Sequence, residues 1–314
     1  MSGHSSAPWM RQIRASDGCG RDAVLLPVDR WYDFPKFGGY LGNVGVMLKY
    51  LKDRYDREGF VSPVRILDES EAAKHRAALE DAEVRVGPLH YKFKVHTILR
   101  SPLELAIHPA MLDVAEALLG PNILLYSAAY IVKEPHTPAH VSWHQDLTYW
   151  GLSSDAQVSA WLALSPATPE SGCMRMIPGS YKRGQLSHQA TDDESNVLYD
   201  GQTVQDVDES KARPCPLEPG EASFHHGWTL HASMPNTSAA RRIGLNVQYF
   251  ATHVRQTLHD RDTAMLVRGV DDFRHFKDDV PATGDLDPDA LARQRVLDAR
   301  VNDIYAIAIR AGRA

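Results

Sequence analysis

A mostly β fold with flanking helices is what this sequence predicts, and three observations predict it. Strand-like runs separated by Pro, Gly, Asn and Asp dominate residues 122–251, helical spacings dominate what precedes, and a last apolar stripe opens at Asp287-Pro288. At 314 residues and 43% hydrophobic composition the chain is long enough to bury a large core as one elaborated domain, expected over 45–314. The β-core is expected at about 122–251 and the C-terminal helix at about 288–310. A partly ordered arm is expected over 1–44, where Gly, Ser, Pro and Asp abound without an apolar period.

The elements follow in order. From Val44 the residues Val46, Met47, Tyr50 and Leu51 recur at helical spacing, and Gly59 marks the exit. Asp68 followed by Glu71 reads as a cap with its box partner, opening a helix over roughly 69–83. Tyr91, Phe93 and Val95 alternate as a strand does. Ser101-Pro102-Leu103-Glu104 reads as a second helix start, with a break at Pro109 and an end at Gly120. The run ILLYSAAYIVK suits a buried strand. In QVSAWLAL, Val158, Ala160, Leu162 and Leu164 share one face, and Gln157, Ser159 and Trp161 the other. RIGLNVQYF sorts the same way, setting Arg242, Gly244, Asn246 and Gln248 apart from Ile243, Leu245, Val247 and Tyr249. On this facing only Arg242, not Arg241, joins the polar face, and Gly244 beside it would let a ligand approach the backbone. Residues 182–212 form a long polar stretch of the kind that is a lid, a binding element or disordered. Leu291, Val296, Leu297, Val301, Ile304, Tyr305 and Ala308 lie along one side of the final helix, read as core support and not chemistry.

A net charge of −6 argues against a surface for nucleic acid, which needs a local excess of Lys and Arg. No run approaches the length of a membrane span and the first residues lack the basic and apolar regions of a signal peptide, so neither membrane nor export is expected, and the cytoplasm is. Cys19, Cys173 and Cys215 are too few and too far apart for a disulfide framework or a zinc site. The sequence carries no signal for oligomeric state.

The chemistry centres on His144-Gln145-Asp146. In extended backbone residues i and i+2 point to one side, roughly 6.6 Å apart, so an imidazole and a carboxylate converge on one ion. A second imidazole from elsewhere would complete the two-histidine, one-carboxylate face of non-haem Fe(II) oxygenases, and His225, His226, His231 and His253 are the downstream choices. The stretches VKEPHTPAHVSWHQDLTYWGL, SGCMRMIPGSYKRG and FHHGWTLHASMPNTSAARRIGLNVQY occur in that order. Together they resemble the phytanoyl-CoA dioxygenase family of Fe(II)/2-oxoglutarate-dependent oxygenases, over roughly residues 45–255.

The resemblance implies a double-stranded β-helix (jelly-roll) core with His144, Asp146 and His231 as both metal ligands and catalytic centre. His231 is preferred because Ser233, Asn236 and Arg242 follow it in the family's order. It implies Fe(II), 2-oxoglutarate as cosubstrate and O2, with Arg242 pairing the far carboxylate of 2-oxoglutarate, Ser233 donating to it and Trp161 walling it from water. A planar guanidinium fits that carboxylate bidentately, as lysine does not. The implied activity is hydroxylation of an unactivated C–H bond of a small-molecule metabolite, releasing succinate and CO2. Desaturation or ring formation shares the same hydrogen abstraction. Because Asp146 is present, no place is left for the halide that related halogenases bind. Tyr149, Trp150, His226 and Trp228 are candidate substrate contacts; the aromatics among them equally suit a β-core. Two other classes remain: a zinc-dependent hydrolase or isomerase using the same ligands, and a non-catalytic binder on the same fold. Metal analysis and 2-oxoglutarate-dependent succinate release separate them.

Overall fold

Asp68 caps its helix as its spacing demands: its carboxylate accepts the Glu71 N–H at 2.8 Å, and the Glu71 carboxylate accepts the Asp68 N–H at 3.0 Å. The computed structural model describes residues 44–312. Expectations for 1–43 lie outside them. The helices are α1 (Val44–Glu58), α2 (Glu69–Val86), α3 (Arg100–Ala106), α4 (Pro109–Leu119) and α5 (Pro288–Gly312). None is long and apolar enough to cross a membrane. Pro109 does divide two helices, and the His108 ring caps the second by accepting the Ala110 N–H.

The strands are β1 (Phe60–Arg65), β2 (Ile123–Lys133), β3 (Val141–His144), β4 (Gln157–Ala163), β5 (Met174–Met176), β6 (His188–Gln189), β7 (Thr203–Val204), β8 (Arg213–Cys215), β9 (Glu221–His226), β10 (His231–Ser233), β11 (Arg242–Ala251), β12 (Thr263–Arg268) and β13 (Lys277–Asp278). A seven-stranded sheet runs β1-β9-β4-β11-β2-β12-β13 and a four-stranded sheet β3-β10-β5-β8; β6 and β7 form a hairpin in the polar stretch. Pairing is antiparallel apart from β12 with β13. The two sheets line a shared cavity, the arrangement of a double-stranded β-helix with helices outside it.

The alternation read in β4 and β11 positions the site. Val158, Ala160 and Leu162 of β4 and Ile243, Leu245, Val247 and Tyr249 of β11 enter the core beneath the helices, with Leu51, Leu103, Met111 and Val114. Their polar alternates turn into the cavity, where Trp161, Arg242, Asn246 and Gln248 line it. Polar residues on that face are therefore enclosed, not solvated.

Four expectations need correction. Tyr91, Phe93 and Val95 do not form a strand: Tyr91 and Lys94 take left-handed φ of 54° and 58°, and Val95–Thr97 is a 3-10 turn. The cause is tertiary, since the buried Lys94 ammonium donates to the Thr263 carbonyl at 2.6 Å and to Asp279 at 2.9 Å, 185 residues away. Alternation over five residues carries no sign of such a partner. Ser101 is not the cap of α3, which begins one residue earlier; Asp285 accepts the Arg100 N–H instead, and the Ser101 hydroxyl meets the His75 ring. The large sheet also extends past 122–251, taking β1 at one edge and β12 and β13 at the other. In α5, Val296 is 60% exposed, and the buried positions are Ala290, Gln294, Val301, Ile304, Ala308 and Ile309.

Candidate active site

The site begins with a strand register. His144 ends β3, His231 starts β10, and the two are direct cross-strand partners, so residues distant in sequence stand side by side with ring centroids 4.0 Å apart. Gln145 stays extended (φ −129°, ψ 124°), which returns Asp146 to the same side although Asp146 already opens a 3-10 turn. The buried Gln145 amide holds that turn by donating to the carbonyls of Gly184 and Trp228, both at 2.8 Å, while its oxygen accepts the Leu186 N–H. The Asp146 Oδ1 lies 3.5 Å from His144 Nε2 and 3.6 Å from His231 Nε2. Among the described residues, these three are the group of histidine, cysteine and acidic side chains whose ligand atoms all fall within 4.8 Å of one another.

The chemistry of this donor set fits a metal ion. The Nδ1 of His144 faces the Ser142 carbonyl and that of His231 the Thr229 carbonyl, each at 2.9 Å. A carbonyl only accepts, so each Nδ1 carries the proton and each Nε2 presents its lone pair inward. Burial, with His144 and His225 adding to it, pushes His231 well below the usual histidine range, so it is neutral. Burial alone would raise Asp146, but His231, His144 and His225 outweigh it and hold the carboxyl well below the usual range, so it is ionised. Asp146 Oδ2 is occupied: it accepts the Ser159 hydroxyl at 2.6 Å and faces His225 Nε2 at 3.3 Å. Gln157 donates in turn to Ser159 at 3.0 Å. Oδ1 is thereby left as the ligating atom.

Arg242 sits 2% exposed across the cavity, its guanidinium 5.0 Å from the centre of the Trp161 ring. One Nη1 donates to the Gly172 carbonyl at 2.6 Å, while the buried Nε–H has no protein partner. An orphaned donor on a buried guanidinium is a place for a carboxylate. Burial pulls Arg242 down to about 10, which leaves it charged at neutral pH. Arg241 turns the other way and pairs with Glu83 and Glu134 outside.

Gly244 corrects an expectation. A Cβ there would stand 2.1 Å from Trp161 Cζ2, so the missing side chain makes room for the indole and not for a ligand. We expect Gly244→Ala to displace Trp161 and to destabilise the fold by about 1–3 kcal/mol, the usual range for overpacking. Urea unfolding measures the loss, and unchanged stability with unchanged indole fluorescence would refute this packing role.

The remaining candidates divide. Ser233 and Tyr149 line the cavity of about 280 Å³, whereas Trp150, His226 and Trp228 do not. Trp150 is buried against Tyr126 and Phe250 and donates from Nε1 to Tyr305 at 2.8 Å. His226 lies beside Tyr181 and 3.6 Å from Asp155, and Trp228 joins the Trp150 cluster. Of the other histidines, His225 touches Asp146 without joining the triad, and His253 is exposed beside Phe273. Among the lining residues that the sequence does not mark as site residues are Tyr91, Val197, Leu198 and Tyr305, and His225 lines the cavity as a partner of Asp146 and not as a ligand. Tyr91 holds a left-handed φ, a backbone cost of about 1–3 kcal/mol for a bulky residue, with its phenol under the influence of both Arg242 and Asp146. Tyr305 corrects the reading of the final helix as support alone. The polar stretch likewise contributes to the site through Val197 and Leu198.

The comparisons agree with this geometry. The family model for phytanoyl-CoA dioxygenase matches residues 55–244. The peroxisomal phytanoyl-CoA dioxygenase of Homo sapiens is 30% identical over 146 residues, covering 45% of this chain and 43% of that protein. This chain thus matches less than half the length of that relative. L-proline trans-4-hydroxylase of Streptomyces griseoviridis is 26% identical over 238 residues, 66% of this chain and 88% of that one. Among solved structures, the apo form of the non-heme monooxygenase ThoJ superposes with a TM-score of 0.73 at 28% identity, over 83% of this chain and 99% of its own. With the matched region carrying the triad and the buried arginine, this chain belongs to the phytanoyl-CoA dioxygenase family of Fe(II)/2-oxoglutarate-dependent oxygenases.

Proposed function

We propose that this protein is an Fe(II)/2-oxoglutarate-dependent dioxygenase that hydroxylates an unactivated C–H bond of a small-molecule metabolite. One observation carries the reading: two imidazoles and one ionised carboxylate converge in the same cavity as a buried, charged arginine with an unpartnered Nε–H. A zinc hydrolase would have use for the first three and none for the fourth. When bound, iron and 2-oxoglutarate supply oxidation of a C–H bond by O2, with succinate and CO2 as co-products.

The chain's own residues do the rest. His144 and His231 hold their Nε2 lone pairs toward the ion because backbone carbonyls fix their tautomers. Ser159 and His225 hold Asp146 so that one oxygen faces inward. Arg242 binds the far carboxylate of 2-oxoglutarate, with Ser233 close by in the lining and Trp161 covering the guanidinium. Ala129, Ile131, Val141 and Met174 add hydrocarbon to the cavity lining, Ile131 and Met174 on the side of Trp161.

The test loads the full chain with Fe(II) under anaerobic conditions, adds 2-oxoglutarate and air, and follows O2 uptake and succinate. Slow uptake is expected without substrate, and the right small molecule accelerates it and gains one oxygen atom. With ¹⁸O2, label enters product and succinate. Added chloride or bromide yields no halogenated product, because Asp146 occupies the position a halide would need. Oxidation without 2-oxoglutarate, or turnover supported by zinc, would overturn the reading.

A further inference from the structure

The walls of the cavity carry hydrogen-bonding groups but almost no charge, and this bears on the substrate. Resting on the functional reading above, we propose that the substrate is a neutral molecule, a hydrocarbon skeleton bearing hydroxyl, ether or carbonyl oxygens that meet Tyr149, Tyr305 and Gln248.

Charge excludes the alternatives. Among the described residues that line the cavity, the histidines aside, Arg242 is the one cation and Asp146 the one carboxylate. The first faces the cosubstrate in the functional reading, and the second is held by Ser159 and His225 and in the same reading would ligate the metal. A carboxylate or phosphate on the substrate would shed its water and find no cation left. An ammonium group would find no free carboxylate. Burying an unpaired ion is far costlier than burying a neutral oxygen that accepts or donates a hydrogen bond.

The hydrogen-bonding groups are unpaired in the way a ligand site requires. The Tyr149 hydroxyl is buried and has no protein partner, and neither has the buried Asn246 Oδ1. Buried polar groups nearly always have partners, so a bound oxygen function completes what the chain leaves open. The Tyr305 oxygen accepts from Trp150 Nε1 at 2.8 Å and lies beside Gln248, whose buried Oε1 has no protein partner. The Tyr149 and Tyr305 rings lie 24° from parallel with centroids 5.6 Å apart, so two rings from separate elements are held together at the cavity. Much of the remaining lining is aliphatic, supplied by β2, β3 and β5 and by Leu198.

The test uses the full chain loaded with Zn(II), as a redox-silent ion, and 2-oxoglutarate. It is screened by saturation-transfer NMR against a fragment library divided equally among neutral, anionic and cationic members of matched size. Ala129→Leu, which fills the cavity, identifies the fragments bound there, and Tyr305→Phe removes one hydroxyl without changing shape. The expected result is that fragments lost in Ala129→Leu are predominantly neutral and oxygen-bearing, and that Tyr305→Phe weakens them about three- to tenfold. Charged fragments making up half or more of those hits, no hit lost in Ala129→Leu, or unchanged affinity in Tyr305→Phe would each overturn the inference. A 2-oxoglutarate titration of each variant shows that it is folded and keeps two failures apart. Charged hits with 2-oxoglutarate bound count against the neutral substrate alone, whereas a wild type that does not bind 2-oxoglutarate overturns the functional reading and this inference with it.

Discussion

Alanine at His144, Asp146 or His231 is expected to abolish 2-oxoglutarate turnover and to reduce iron retention below detection. Three ligands on one face define both affinity and geometry, and removal of one leaves a pair that binds weakly and in no fixed orientation. Ser159→Ala and His225→Ala touch the same carboxylate from behind, through the 2.6 Å and 3.3 Å contacts to Oδ2. Outer partners of this kind typically change metal affinity about 10- to 100-fold. A graded series is therefore expected: no retained iron in the triad variants, weakened iron in the two supporting variants, wild-type iron in His226→Ala. Metal content after gel filtration and a Co(II) titration measure it, with circular dichroism as the check on fold. If His231→Ala retains iron and His225→Ala does not, the ligand assignment is wrong.

The facing of β4 and β11 was legible because period two survives any tertiary context that buries one face of a strand. It separates Arg242 from Arg241, and the 2% exposure of Arg242 against the outward ion pairs of Arg241 agrees with it. The Asp68 cap and the Asp287-Pro288 helix start were legible for a similar reason, since a cap is a contact among four neighbouring residues. What depended on register was not legible. Ser159 and His225 support Asp146 because β4 and β9 pair them directly, and nothing local to either stretch announces that pairing. Gly244 was misread because its neighbour across the strands was unknown; β11 sets it opposite Ala163, which brings the Trp161 indole over it. Tyr91 alternates with Phe93 and Val95 as a strand does, whereas a buried ion pair between Lys94 and Asp279 bends the chain there and Tyr91 lines the site. The aromatics near the ligands divided the same way. Tyr149 reached the cavity, while Trp150, one residue on, became core.

Arg242→Ala is expected to raise the KM for 2-oxoglutarate roughly 10- to 150-fold, with iron binding nearly intact. The lost interaction is a charge-assisted hydrogen bond pair worth about 1.5–3 kcal/mol, and each 1.4 kcal/mol is about tenfold in affinity. Iron is spared because Arg242 bonds none of the three ligands; among the described residues its guanidinium donates to the Gly172 carbonyl. Arg242→Lys should recover only part of the loss, because an ammonium on a shorter reach has neither the planar fork nor the stacking on Trp161. Arg241→Ala should leave the KM near wild type, since its partners Glu83 and Glu134 lie outside the cavity lining. Initial rates of succinate release against 2-oxoglutarate concentration measure all three, with bound iron determined in the same samples. Equal effects at Arg241 and Arg242, or a loss of iron in Arg242→Ala as large as in Asp146→Ala, would show that the guanidinium supports the fold of the metal centre and does not bind the cosubstrate.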